Sequence, residues 1–166
     1  SEGIEVLVLN HGRYDRIDAK SLDYAHLRRT MSTNFEGSFL VWDSVKSSLN
    51  SEARICVIGS QLGTRGSPHG ADYSASKAAL ALWARSLAQA VGADGKRVNI
   101  IAPGFVDTDI LAGDTPEKRA SRIEEVPLKR IGTPDDIAEA VSYLVSDEAN
   151  YITGAVIHVN GGLYLP

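Results

Sequence analysis

The chain has 166 residues, 43% of them hydrophobic, and a formal net charge of −4; that is enough for one globular domain over residues 1–166 with a core of its own. Its 17 basic residues read as scattered rather than clustered, which argues against nucleic acid and against an anionic membrane surface as partners. Apolar runs such as VLVL at residues 6–9 fall far short of the roughly 20 residues that a bilayer crossing needs, and no charged-then-apolar leader opens the chain, so a soluble cytoplasmic protein is expected.

In chain order, the first element is a strand over residues 4–10, IEVLVLN. A helical pattern follows over 18–49, where Leu22, Leu27, Met31, Phe35, Phe39, Trp42, Val45 and Leu49 recur at spacings of mostly three to five, interrupted by Gly37. ARICVIGS (53–60) reads as a second strand. The single cysteine, Cys56, lies inside it and is expected to be a small buried thiol. A helix over 73–90 is apolar around nearly its whole circumference, through Leu80, Leu82, Trp83 and Leu87, which calls for burial on two sides.

RVNIIAPG (97–104) is a third strand, and AVIHVNGG (155–162) a fourth. These runs are nearly continuous in apolar residues rather than alternating, as in a parallel sheet covered on both faces. Before the fourth strand, Thr133, Pro134 and Asp136 announce a helix over 133–146 with a capping box. The polar stretch 105–132 between them is expected to be a functional lid or binding loop, with plain disorder as the alternative. Strands alternating with helices point to a doubly wound α/β fold.

Tyr73 and Lys77 stand four apart at the start of the apolar helix, so their side chains share a face. A tyrosine titrates near pH 10, but an ammonium within about 4–6 Å favours the phenolate and brings the group toward acid/base use. The pair alone is a weak signal. His11, His26, His69 and His158 show no second ligand at metal spacing, and no metal site is expected.

The segment IGSQLGTRGSPHGADYSASKAAL, with Ser60 thirteen residues before Tyr73, resembles the catalytic segment of the short-chain dehydrogenase/reductase family. VLNHG at 8–12 is similar to that family's Asn-Asn-Ala-Gly segment, with His11 in place of the alanine. STNFEGSF supplies Asn34 at the fourth catalytic position, and APGFVDTDI carries Pro103, Gly104 and Thr108 of a Pro-Gly-x-x-x-Thr motif. The ending DEANYITGAVIHVNGGLYLP is like that of the 3-oxoacyl-[acyl-carrier-protein] reductase branch.

The resemblance implies the C-terminal portion of a Rossmann-like sheet, family strands 4 to 7 with flanking helices. It implies hydride transfer between NADP or NAD and a small carbonyl or acyl thioester. Ser60 would hold the carbonyl oxygen, Tyr73 would donate the proton, and Lys77 would depress the Tyr73 pKa and bind the nicotinamide ribose. Asn34 would hold a relay water. Asn10, Gly12, Tyr73, Lys77, Pro103, Gly104, Val106 and Thr108 would line the cofactor site, with Thr108 and the Val106 backbone on the carboxamide. Helices 18–49 and 73–91 would form a homodimer or homotetramer contact.

The resemblance also places strand one, the glycine-rich phosphate loop and the cofactor selector ahead of residue 1. The strand at 4–10 is then an edge, expected to be covered by another chain, a rearranged terminus or a preceding part of the same protein. A half-fold that keeps the four catalytic positions but holds no cofactor is the alternative to an oxidoreductase. An epimerase of the extended branch, which also uses Tyr-x-x-x-Lys, fits less well with an ending at VNGG.

Overall fold

The computed structural model describes residues 3–166. Four strands, β1 (Ile4–Leu9), β2 (Leu49–Ile58), β3 (Arg97–Pro103) and β4 (Val156–Val159), pair in that order. All three pairings are parallel, with Val8 opposite Cys56, Cys56 opposite Asn99 and Ile101 opposite Ile157. The helices are α1 (Tyr24–Met31), α2 (Gly37–Val45), α3 (Leu62–Arg65), α4 (Ala71–Val91), α5 (Pro116–Glu125) and α6 (Pro134–Leu144).

Helices cover the sheet from both sides, as the continuous apolar strands require. On one side Leu80, Ala84 and Ala88 of α4 pack with Trp42 of α2 over Leu9, Ile55, Val57 and Ile100. Leu144 of α6, with Ile137 and Val141 beside it, seals the other side against Cys56 and Ile101. That second cover does not reach β1, so Val6 and Val8 are each 41% exposed, while Leu7 and Leu9, pointing the other way, join the core.

Several boundaries differ from expectation. The 18–49 pattern becomes a helix only at Tyr24, where Asp23 caps the His26 N–H at 2.8 Å. Gly37 does not interrupt it. The turn Ser32–Glu36 is π-helical and runs straight into α2, and Gly37 instead makes room for a neighbour: a Cβ there would lie 2.9 Å from His11 Nε2. Leu49 belongs to β2, opposite Ile4, and the register shifts between Ile4 and Val6. Stretch 105–132 holds a 3-10 turn at Asp109–Leu111 and α5, capped by Thr115, and is closed by a bridge between Val106 and Gly132. α6 carries the expected capping box, Thr133 with Asp136.

Leu80 is fully buried at the centre of the α4 contact with the sheet. Leu80→Ala is expected to destabilise the protein by about 2–5 kcal/mol through lost burial and a residual cavity, read as a lower urea midpoint at an unchanged m-value.

Candidate active site at the carboxyl edge of the sheet

In an open parallel sheet, the strand ends leave a crevice between loops that diverge to opposite faces. Here β1 delivers Asn10 and Gly12 to that edge, β2 delivers Ser60, and β3 delivers Pro103, Gly104 and Val106. The exits are tied together. Gly59 N–H donates to Ile101 O at 2.7 Å, Gln61 N–H to Pro103 O at 3.1 Å, and Gly104 N–H to Val159 O at 3.0 Å. Ser60 is thereby fixed, and its Oγ accepts from Leu62 N–H at 3.1 Å.

A cavity of about 510 Å³ opens over this edge. Asn10, Gly12, Ser60, Tyr73 and Lys77 line it, together with Pro103, Gly104, Val106 and Thr108. Asn34 does not reach the cavity. It is buried in the π-helical turn, where its amide Nδ2 donates to Arg13 O at 3.0 Å and Ser76 Oγ at 2.9 Å, while its Oδ1 accepts from Arg13 N–H at 2.7 Å. Both amide hydrogens are thus used in clamping the loop after β1 onto α4, which sets Gly12 beside Lys77. A Cβ on Gly12 would lie 3.2 Å from Lys77 Nζ and 3.5 Å from Asn34 Oδ1.

Lys77 is 3% exposed, and its Nζ donates to Ile58 O at 2.8 Å. Burial pushes its amine down to about 8. Burial also raises the Tyr73 phenol, an effect that the Ser60 hydroxyl opposes and the nearby Tyr14 phenol reinforces. This reverses the expectation that Lys77 depresses Tyr73. Nζ stands 5.8 Å from the Tyr73 ring centroid and is directed at a backbone carbonyl, so desolvation of the phenol prevails over attraction to the amine.

Some neighbours carried no sequence signal. Tyr14 stacks at a tilt of 50° on Tyr73, ring centroids 4.7 Å apart, and its hydroxyl donates to His69 O at 3.0 Å. Buried Thr30 donates to Asp72 Oδ2 at 2.6 Å, anchoring the first turn of α4 to α1. Arg122 pairs with Asp114 and lies over the Phe105 ring, 4.4 Å from its centroid. The Tyr14 and Thr30 contacts join segments more than 40 residues apart, and the Arg122 contacts close the 105–132 stretch on itself, so no spacing pattern singled them out. His11, the departure from the family segment, stays at the surface against Gly37, with Nε2 3.3 Å from Ser38 Oγ. Among the described residues, no group of three His, Cys, Asp or Glu side chains could hold a metal ion, and no helix is long and apolar enough to cross a membrane.

A family model described as Enoyl-(Acyl carrier protein) reductase matches residues 1–164. The 3-oxoacyl-[acyl-carrier-protein] reductase FabG of Salmonella typhimurium is 46% identical over 112 residues, 68% of this chain and 46% of that protein. The Vibrio cholerae protein of the same name is 36% identical over 165 residues, 98% of this chain and 68% of the relative. The chain thus spans about half to two thirds of the length of these curated relatives. A crystal structure of a short-chain dehydrogenase/reductase, glucose/ribitol dehydrogenase, from Brucella melitensis superposes with a TM-score of 0.94 at 31% identity, covering 99% of this chain and 66% of that one.

Because the folded-state amine of Lys77 titrates near 8 and the unfolded one near 10.4, the unfolded chain binds the extra proton between these values. The burial penalty is fully present below pH 8 and fades as pH rises through this window. Urea unfolding of the wild type should therefore gain on the order of 1–3 kcal/mol between pH 7 and 9.5 relative to Lys77→Met. Parallel pH curves for the two proteins would show that Lys77 titrates normally.

Proposed function

Since the chain belongs to the short-chain dehydrogenase/reductase family, we propose that its site catalyses hydride transfer between NADPH or NADH and a carbonyl compound, with 3-oxoacyl thioesters as the first substrates to test. The observation that carries this reading is the convergence of Ser60, Tyr73 and Lys77 on one cavity at the carboxyl edge of a parallel sheet. When bound, the nicotinamide supplies the hydride. The residues present fit such a group, because Lys77 lines the cavity with only one of its N–H bonds spent, on Ile58 O, and the bare Gly12 beside it, where a Cβ would lie 3.2 Å from Nζ, leaves room for ribose hydroxyls. Thr108 Oγ1 and the backbone at Val106 would meet the carboxamide.

In the reductive direction, Ser60 Oγ–H donates to the substrate oxygen and holds it against Tyr73. As the carbonyl carbon takes the hydride, the oxygen takes the Tyr73 proton and a hydroxyl results. Tyr73 arrives protonated at neutral pH, as any phenol does below about pH 10, and burial, by raising it further, leaves the lowering of its pKa to charge that binds beside it. Asn34 acts at one remove, through the loop it clamps. The similarity to 3-oxoacyl-[acyl-carrier-protein] reductases over 98% of the chain supports the thioester class. The half-fold that binds no cofactor makes the opposite forecast: fluorescence titration of NADPH and NADH should show saturable binding for an oxidoreductase and none for it. Tyr73→Phe is expected to retain that binding and lose about 10²–10⁴-fold in kcat; a variant reducing 3-oxoacyl thioesters at the wild-type rate would refute the assignment of the acid.

Self-association belongs to the same reading. Phe39, Leu40 and Val41 on α2 and Leu82 on α4 are 38–64% exposed in a contiguous aromatic neighbourhood where Phe39 and Trp42 meet Trp83 edge-on. Such a patch suits a second copy of the same two helices. Leu40→Glu with Leu82→Glu should shift the protein to monomers in sedimentation velocity, and an unchanged assembly would exclude this face.

A further inference from the structure

The cavity is far more basic than the chain that builds it. Acidic residues outnumber basic ones overall, 21 to 17, yet Arg16, Arg65, Lys77, Lys118 and Arg122 line the cavity against the single carboxylate of Glu125. This corrects the sequence-level impression of scattered charge: the fold gathers cations from four elements at one opening.

Two of these cations are already committed. Arg122 makes a two-pronged bond to Asp114, one arm at 3.1 Å, and covers Phe105. Lys77 donates to the Ile58 carbonyl at the cavity floor. The other three are not matched by protein carboxylates. Among the described residues Arg65 and Lys118 enter no ion pair, and Arg16 has only a 3.8 Å contact with Asp114, whose oxygens Arg122 already takes. Asp114 is held below its usual range first by the Arg122 bond and then by the charges of Arg16 and Lys118, which places those cations around one acid and leaves positive charge in excess.

The arrangement is layered. Arg16 and Arg65 are exposed at the rim, Lys118, Ser60 and Tyr73 are half-buried, and Lys77 is buried. Uncompensated charge in a low-dielectric cleft focuses its field on whatever enters. We propose that the substrate of this site is an anion, whose reacting carbonyl meets Ser60 and Tyr73 while an oxyanion group on the same molecule is held by Arg16, Arg65 and Lys118. This rests on the oxidoreductase reading for the carbonyl end and adds the recognition of the other end. The oxyanion is either the carboxylate of a small oxo acid or the phosphate of a longer thioester arm; both present the same planar or tetrahedral acceptor oxygens to guanidinium and ammonium donors.

Two matched pairs test it in the full-length protein. One is 3-oxobutanoate against its methyl ester; the other is acetoacetyl-coenzyme A against acetoacetyl-N-acetylcysteamine. In at least one pair the anion should show a kcat/KM roughly tenfold or more above its neutral partner, a ratio that falls toward one in Arg65→Gln/Lys118→Gln and at high salt. The pair that responds identifies the source of the charge. A ratio near one in both pairs, or a preference that the double variant leaves in place, overturns the proposal, as does a double variant whose only change is in the KM of the nicotinamide cofactor.

Calorimetry on Tyr73→Phe separates the two readings. 3-Hydroxybutanoate or coenzyme A should bind that inert protein roughly tenfold more tightly than the methyl ester or N-acetylcysteamine, and the double variant should erase the difference. Equal binding within both pairs overturns the anion site. Absent turnover of all four carbonyl compounds by the wild type, with the binding difference intact, would sink the oxidoreductase reading alone.

Discussion

The site depends on a lysine buried where lysines are costly. An ammonium taken from water needs a partner or loses its proton, and Lys77 finds its partner in the carbonyl of Ile58, the last residue of β2. That bond fixes the register of α4 against the strand end, and Tyr73, one turn earlier, inherits its position. Gly12 then must be a glycine, since a side chain would press on the amine, and Asn34 must grip Arg13 from both sides to hold the Gly12 loop there. A π-helical turn delivers Asn34 between two helices, the kind of backbone irregularity that recurs at functional sites.

Burial governs the acid as well. Lys77 is buried and Tyr73 half-buried beside it, and loss of hydration lowers the amine and raises the phenol, so each is pushed toward its neutral form. A lysine pushed toward neutrality can answer to what binds beside it, and a phenol raised by burial gains acidity only when positive charge arrives next to it. The rim has the opposite character, with Arg16 and Arg65 set in water. One cavity therefore joins a desolvated floor suited to proton and hydride transfer to a charged mouth suited to choosing what enters.

Much of this was legible in the residue order. Continuous Val and Ile runs gave a parallel sheet because both faces are covered, and Thr133 with Asp136 gave the start of α6 because the capping box is a local arrangement. Ser60, Tyr73 and Lys77 stood out because helix geometry and a fixed spacing link them in sequence. The failures share a cause. Gly37 read as an interruption, though its bareness serves His11 from another element. The Tyr73 shift was given the wrong sign because spacing reports which charges are near but not how dry they are. Tyr14 and the meeting of Arg16 and Arg65 with the Lys118 and Arg122 pair of α5 were invisible because only three-dimensional closure brings those segments together.

The central claim is that Lys77 is a desolvated amine seated on a strand-end carbonyl. Heteronuclear NMR of the protein with ¹⁵N-labelled lysine side chains can follow its ammonium resonance directly across pH. The account requires one lysine to titrate near 8, with slowed exchange of its Nζ protons, and to vanish from the spectrum in Lys77→Met. A full set of lysines titrating together near 10.4 would contradict it.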